Sequence, residues 1–209
     1  MPALPLRGFY DKNSPKHFVR QPPGKTLDGQ LIELERRMFM FIEKTLETLA
    51  NLYRNETRIV QCCEGSFSNS KTIFRKPASE EEISRLLSIY SPLPEDYLKF
   101  LSITNGMRPF EDADWSSENN IFSTSDLMFA NEPYASSSWL IVAVICDDCI
   151  LINLDDAANN KTEYMYLTEG PCDLNDARSL YCDFQTWLDR FIMAQGNKYW
   201  TWRVEDRKY

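Results

Sequence analysis

The chain has 209 residues, 43% of them hydrophobic and 13% aromatic, and a formal charge of −8. That composition excludes a disordered or fibrous chain, and no stretch approaches the roughly 18 apolar residues of a membrane-spanning helix. The charge is uneven: residues 1–78 hold 13 Lys and Arg against 8 Asp and Glu, whereas residues 79–209 hold 10 against 23.

A region at −13 repels nucleic acid and anionic membranes and attracts basic partners. The length suits one domain, able to bury roughly 70% of its unfolded surface without staples. No N-terminal run joins basic residues to an apolar core of signal-peptide type, so the six cysteines are expected as thiols in a reducing, cytoplasmic compartment.

Residues 1–25 carry five prolines and read as an extended arm, which holds the only histidine, His17. Residues 26–209 then form a single domain. A long helix over 27–54 places Leu31, Leu34, Met38, Phe41, Ile42, Leu49 and Leu52 on one face. A strand pair is expected next, "RIVQCCE" and "KTIFRK", around the turn-rich "GSFSNS".

Ser79 and Glu82 form an S-x-x-E capping box that opens a second helix, with Ile83, Leu86, Leu87 and Tyr90 as its apolar face. Pro94 starts a third helix, "PEDYLKFLSIT", with Glu95 and Asp96 at the positive end of its dipole. Asn105-Gly106 supplies the left-handed turn that ends it. Residues 108–138 read as an acidic, aromatic loop region with a short helix around Ser125 to Phe129.

"WLIVAVIC" is apolar on both faces, as a covered central strand requires. "CILINL" and "TEYMYL" are further strands, separated by the turn signal "DDAANNK". A last helix, "DARSLYCDFQTWLDRFIMAQG", carries Leu180, Phe184, Trp187, Leu188 and Phe191 on one stripe and ends at Gly196.

The chemistry-bearing residues point away from catalysis. Cys146-x-x-Cys149 has no second close Cys/His pair to complete a zinc site. As a redox pair it lies in β-patterned sequence beside acids, the wrong setting for a lowered thiol pKa. Asp147, Asp148, Asp155 and Asp156 could serve a metal-dependent hydrolase, but no EF-hand pattern or partner histidine accompanies them. No G-x-S-x-G, Walker A or dinucleotide fingerprint is present. The residues therefore read as a non-enzymatic binding domain that needs no cofactor and no metal.

The stretch Ser79 to Gly106 resembles the entry to the SUKH superfamily, which includes bacterial immunity proteins and the fungal Smi–Knr cell-wall-assembly regulators. Leu93, Pro94, Glu95, Asp96, Tyr97, Phe100, Leu101, Asn105 and Gly106 match its pattern in order, and Trp187 falls in the expected closing helix. The resemblance covers roughly residues 70–195, with the 27–54 helix packed on it. It departs at Cys146-Asp147-Asp148-Cys149, where family members often carry glycine.

The resemblance implies an α+β fold, with a mixed, mainly antiparallel sheet flanked by helices. It also implies a protein partner. The first expectation is an immunity-type protein that neutralises a toxin, often a basic nuclease; the second is a fungal-type scaffold regulator of wall synthesis or signalling. Partner-binding residues are expected among the acids Glu111, Asp112, Asp114, Glu118, Asp147, Asp148, Asp155 and Asp156. Leu93, Pro94, Tyr97, Phe100, Asn105, Gly106 and Trp187 are read as structural. Asp147 and Asp148 are expected at the centre of a tight hairpin, with Cys146 facing Cys149 across it, close enough for a disulfide under oxidation.

Overall fold

The computed structural model describes residues 41–202, except 55, 63–64, 114–118, 136 and 171–172. The arm 1–25, the first part of the long helix, Asp114 and Glu118 lie outside the described residues. What is described of that helix, α1, covers residues 41–52 and buries Ile42, Leu46 and Leu49. Phe41 and Leu52, expected on its inner face, are 44% and 51% exposed.

The elements that follow are β1 (Arg58–Gln61), β2 (Phe67–Phe74), α2 (Glu80–Ile89), α3 (Glu95–Ile103), β3 (Met107–Asp112), β4 (Asn120–Ile121) and α4 (Thr124–Ala130). Then come β5 (Trp139–Ile145), β6 (Asp148–Asn153), α5 (Leu154–Ala158), β7 (Met165–Thr168), β8 (Arg178–Ser179) and α6 (Phe184–Met193). The eight strands form one sheet in chain order, and each neighbouring pair is antiparallel. The fold is α+β.

β5 and β6 are the most covered strands. Leu140, Val142, Ala143, Ile145, Ile150, Leu151 and Ile152 have no exposed surface, which is why "WLIVAVI" shows no alternation. Helix α3 packs on α6, and Tyr97, Phe100, Phe184, Trp187 and Phe191 form a buried aromatic series. Phe184 meets the rings of Tyr97 and Phe100 edge-on at 4.9 and 5.2 Å, and Trp187 stacks on Phe191 at 5.6 Å. Such rings bury large apolar areas and add specific geometry.

The helix starts follow their caps. Ser79 Oγ accepts from the Glu82 N–H at 3.2 Å, and the Glu82 carboxylate accepts from the Ser79 N–H at 2.7 Å. Ser123 and Asp126 repeat this box at the start of α4. Asn105 joins the two helices: its amide donates to Glu82 Oε1 and Thr124 Oγ1, and its carbonyl oxygen accepts from the Thr124 N–H at 2.8 Å. Asn105 therefore fastens α2 to α4, while α3 itself ends at the extended C-cap Thr104. Asn105→Ala should cost roughly 2 kcal/mol in urea denaturation, against about 1 kcal/mol for Ser79→Ala, because it strands more partners.

The structure corrects several expectations. "FSNS" belongs to β2, not to a turn; the connection is residues 62–66. β3 lies where the pattern reads as loop, because Pro109 and Phe110 interrupt it. They sit in a bulge, where Arg108 pairs with Ile73 and Glu111 with Lys71, and Phe110 has φ 55°. "DDAANNK" opens as helix α5, capped by the Asn153 side chain. The last helix starts at Phe184 behind the N-cap Asp183, and Arg178–Ser179 before it form the edge strand β8.

The central hairpin is shifted by one residue. Ile145 pairs with Asp148 and Val144 with Cys149, so Cys146 and Asp147 make the turn. Cys146 takes φ 50° there and does not face Cys149 across the ladder.

Candidate functional site

Because the strands alternate in direction, the connections β1–β2, β3–β4, β5–β6 and β7–β8 all emerge at one end of the sheet. These are residues 62–66, 113–119, 146–147 and 169–177. Their described residues carry four carboxylates, from Asp147, Glu169, Asp173 and Asp176, and no Lys or Arg. Bases reach this end from neighbouring segments, as where Arg178 of β8 meets Glu169 at 2.8 Å.

The segment after α6 crosses this end. Gln195 and Gly196 both turn left-handed, at φ 55° and 84°. Gln195 Oε1 accepts from the Gln61 N–H at 3.0 Å, and Asn197 Nδ2 donates to the Gln61 carbonyl at 2.9 Å. These side chains occupy the outer edge of β1, an edge that another strand could otherwise pair with. Farther on, Lys198 Nζ lies 3.0 Å from Asp148 Oδ1, and the Trp200 indole donates to Asp148 Oδ2 at 2.8 Å. Trp202 and Phe67 are left 65% and 73% exposed.

The acids singled out in the sequence divide by position. Asp147 stands exposed on the β5–β6 tip. Asp112 is half-buried at the end of β3 and accepts a bond from the Ser68 hydroxyl. Glu111 is 5% exposed and paired with Arg108 at 2.8 Å, and Asp148 is 3% exposed and anchors the C-terminal segment.

Asp155 and Asp156 lie at the other end of β6, about 20 Å from Asp147 at strand rise. Asp155 accepts from the Ser138 hydroxyl at 2.5 Å. Asp156 is bonded by Lys161 at 2.6 Å and Tyr166 at 2.8 Å, and the Lys161 bond holds its carboxyl below the ordinary range despite some burial.

Asp147, Asp148, Asp155 and Asp156, close in sequence, thus form no single cluster. Among the described residues, no three His, Cys, Asp or Glu side chains gather into a group able to hold a metal ion. Of the Cys146-x-x-Cys149 pair, Cys146 is exposed on the turn and Cys149 is buried in β6; burial pushes the Cys182 thiol up to about 11.

Sequence reasoning misses two contributors. Glu169, Asp173 and Asp176 escape it, although "TEGPCDLNDA" holds three acids and no base before the strand β8. Lys198 and Trp200 read only as part of an aromatic tail; Gly196, a turn-back signal, is the available hint. A concavity of about 570 Å³ opens between α1, β1 and α6, where Ile59 and Met193 are each 76% exposed.

Taken together, the single antiparallel sheet, its flanking helices and the acids at one loop end define an acidic α+β domain. More narrowly, the chain belongs to the SMI1 / KNR4 family (SUKH-1), whose sequence profile matches residues 77–190. Domains of this family generally bind protein partners and are generally non-enzymatic.

Two proteins of Bacillus subtilis (strain 168) are similar to it. The uncharacterized protein YobM is 26% identical over 183 residues, covering 79% of this chain and 94% of YobM. The uncharacterized protein YnaB is 28% identical over 128 residues, covering 61% of this chain and 85% of YnaB. No described helix is long and apolar enough to cross a membrane.

Proposed function

We propose that this chain is a non-enzymatic, immunity-type domain, which binds a basic toxin through the acidic end of its sheet and neutralises it. The observation that carries this reading is the set of four carboxylates, Asp147, Glu169, Asp173 and Asp176, that the strand order brings to one end on the β5–β6 and β7–β8 connections. A uniform field of one sign speeds encounter with an oppositely charged protein and disfavours wrong partners. Enzymes that grip phosphate are basic where they do so, which makes a nuclease toxin the partner best matched to this surface.

Family membership supports a protein partner, and bacterial relatives support the toxin-binding reading over the fungal scaffold. Trp202 and Phe67 offer the exposed aromatic anchors that dominate the energy of many interfaces.

The test is growth protection. Cells expressing a basic nuclease toxin domain that the full chain captures in a pull-down should survive when the chain is co-expressed. Protection should fail for the triple variant Asp147→Lys, Asp173→Lys, Asp176→Lys at equal protein level. Equal death of cells with and without the chain would refute the immunity reading.

A further inference from the structure

Side chains stand where a strand could join the sheet. In an antiparallel sheet the peptide groups of a strand point by turns to either neighbour, so a two-residue step keeps the direction. Gln61 turns its N–H and carbonyl away from β2. Gln195 Oε1 accepts from that N–H at 3.0 Å, and Asn197 Nδ2 donates to that carbonyl at 2.9 Å. An added strand would make the same two bonds with its own backbone. Ile59 turns its peptide groups the same way as Gln61, and it is 76% exposed. The two blocking side chains are themselves held. Gln195 takes φ 55°, uncommon for a residue with a side chain. Asn197 Nδ2 also donates to the Ala194 carbonyl at 2.7 Å, at the C-cap of α6. Past them, Lys198 and Trp200 fasten the segment to Asp148.

We infer that Gln195 and Asn197 keep β1 from pairing with the β1 strand of a second copy of this chain. A second copy is present wherever the chain is, at the chain's own concentration. The strand also fits itself. About a twofold axis through Ile59, that residue lies opposite its equivalent and Gln61 lies opposite Thr57. Arg58 then meets Val60, so no like charges stand opposite each other. Two exposed Ile59 side chains come together on one face, an apolar β-branched pair of the kind that stabilises sheets. Three outward pairs would make about six main-chain hydrogen bonds. With Gln61 taken, β1 has Ile59 left to bond outward, and so short an edge holds another strand poorly.

The experiment compares the full chain with the double variant Gln195→Ala, Asn197→Ala by sedimentation equilibrium over a range of concentrations. Circular dichroism reports whether each variant is folded. The double variant should form dimers at least about tenfold more tightly than wild type. Adding Ile59→Lys, a charge on the strand edge, should return it to the wild-type curve. Gln195→Gly is the milder change, because glycine suits the left-handed backbone at 195. It removes half of the block and should strengthen dimerisation about threefold. Wild-type sedimentation by folded Gln195→Gly and by the folded double variant would overturn the inference. So would self-association that Ile59→Lys does not reverse, since the contact would then lie away from β1.

Discussion

Replacing Gly106 by alanine should destabilise the protein by roughly 4 kcal/mol or more, enough to unfold much of a domain of ordinary stability. Gly106 has φ 79°, and a Cβ there would stand 2.6 Å from the Ile121 carbonyl oxygen and 2.6 Å from the Ser123 nitrogen. Both are backbone atoms. Ile121 is fixed in β4 between two strands, and Ser123 is the N-cap of α4, so neither can yield cheaply.

Gly170 is the control. It has φ 67°, and a methyl group at its Cα would meet nothing within 4 Å. Gly170→Ala should therefore cost only about 1–2 kcal/mol, the left-handed penalty alone. Urea midpoints for the two variants measure the difference directly. Equal losses would mean that the close approach at Gly106 is not what its position demands.

Asp96 carries the second large effect. Its carboxylate is 5% exposed and joins the starts of two helices. It accepts from the Tyr97 N–H of α3 at 2.8 Å, the Gln185 N–H of α6 at 2.9 Å and the Tyr164 hydroxyl at 2.5 Å. The same hydroxyl accepts from the Phe184 N–H at 3.2 Å. Asp96→Ala would strand the three donors in the core, at roughly 2–4 kcal/mol in total. Tyr164→Phe should cost less, about 1–2 kcal/mol, since it removes one donor and one acceptor.

The pH dependence of Asp96 has a definite sign. Burial raises its carboxyl above the ordinary 3.8, against the pull of its hydrogen bonds from Tyr164 and Gln185. The folded protein therefore holds this proton more tightly than the unfolded chain does. The stability linked to it is fullest below 3.8 and is lost as pH rises through the higher folded value.

Asp126 works in the opposite sense. Burial opposes its charge, but the Ser123 bonds and Arg75 at 2.6 Å outweigh that and hold it below 3.8. Its contribution is present above 3.8 and lost as pH falls through the lower folded value. The stability difference between wild type and Asp96→Asn should therefore shrink from about pH 4 upward, whereas that for Asp126→Asn should be level above about pH 4 and shrink as pH falls below it. Denaturation curves across that range resolve the two slopes.

What is legible in the sequence is local backbone chemistry. Ser79 and Glu82 act within a few residues of themselves and form the expected cap; Pro94 falls one place early, as the N-cap of α3, and Gly106 turns left-handed just beyond the extended C-cap Thr104. The unbroken apolar run of β5 is legible because burial on both faces removes alternation.

Pairing with distant strands is not legible. β3 hides behind Pro109 and Phe110 because a bulge breaks the two-residue period. The expected hairpin register is off by one because Cys146, neither glycine nor asparagine, takes the left-handed position. The candidate site is half visible. Asp147 and its neighbours can be named, but their separation from Asp155 and Asp156 depends on strand direction. The convergence of Glu169, Asp173 and Asp176 with Asp147 depends on strand order.

The most direct test of the acidic-end reading is the affinity of the purified full chain for the basic nuclease toxin domain used in the protection assay, measured by calorimetry. Wild type should bind at one-to-one stoichiometry, and Asp147→Lys, Asp173→Lys, Asp176→Lys should weaken binding at least about a hundredfold. Reversing Asp155, at the opposite end of β6, to Lys should leave affinity within about threefold of wild type. Unchanged binding by the triple variant, with loss at Asp155→Lys, would place the interface elsewhere and contradict the account.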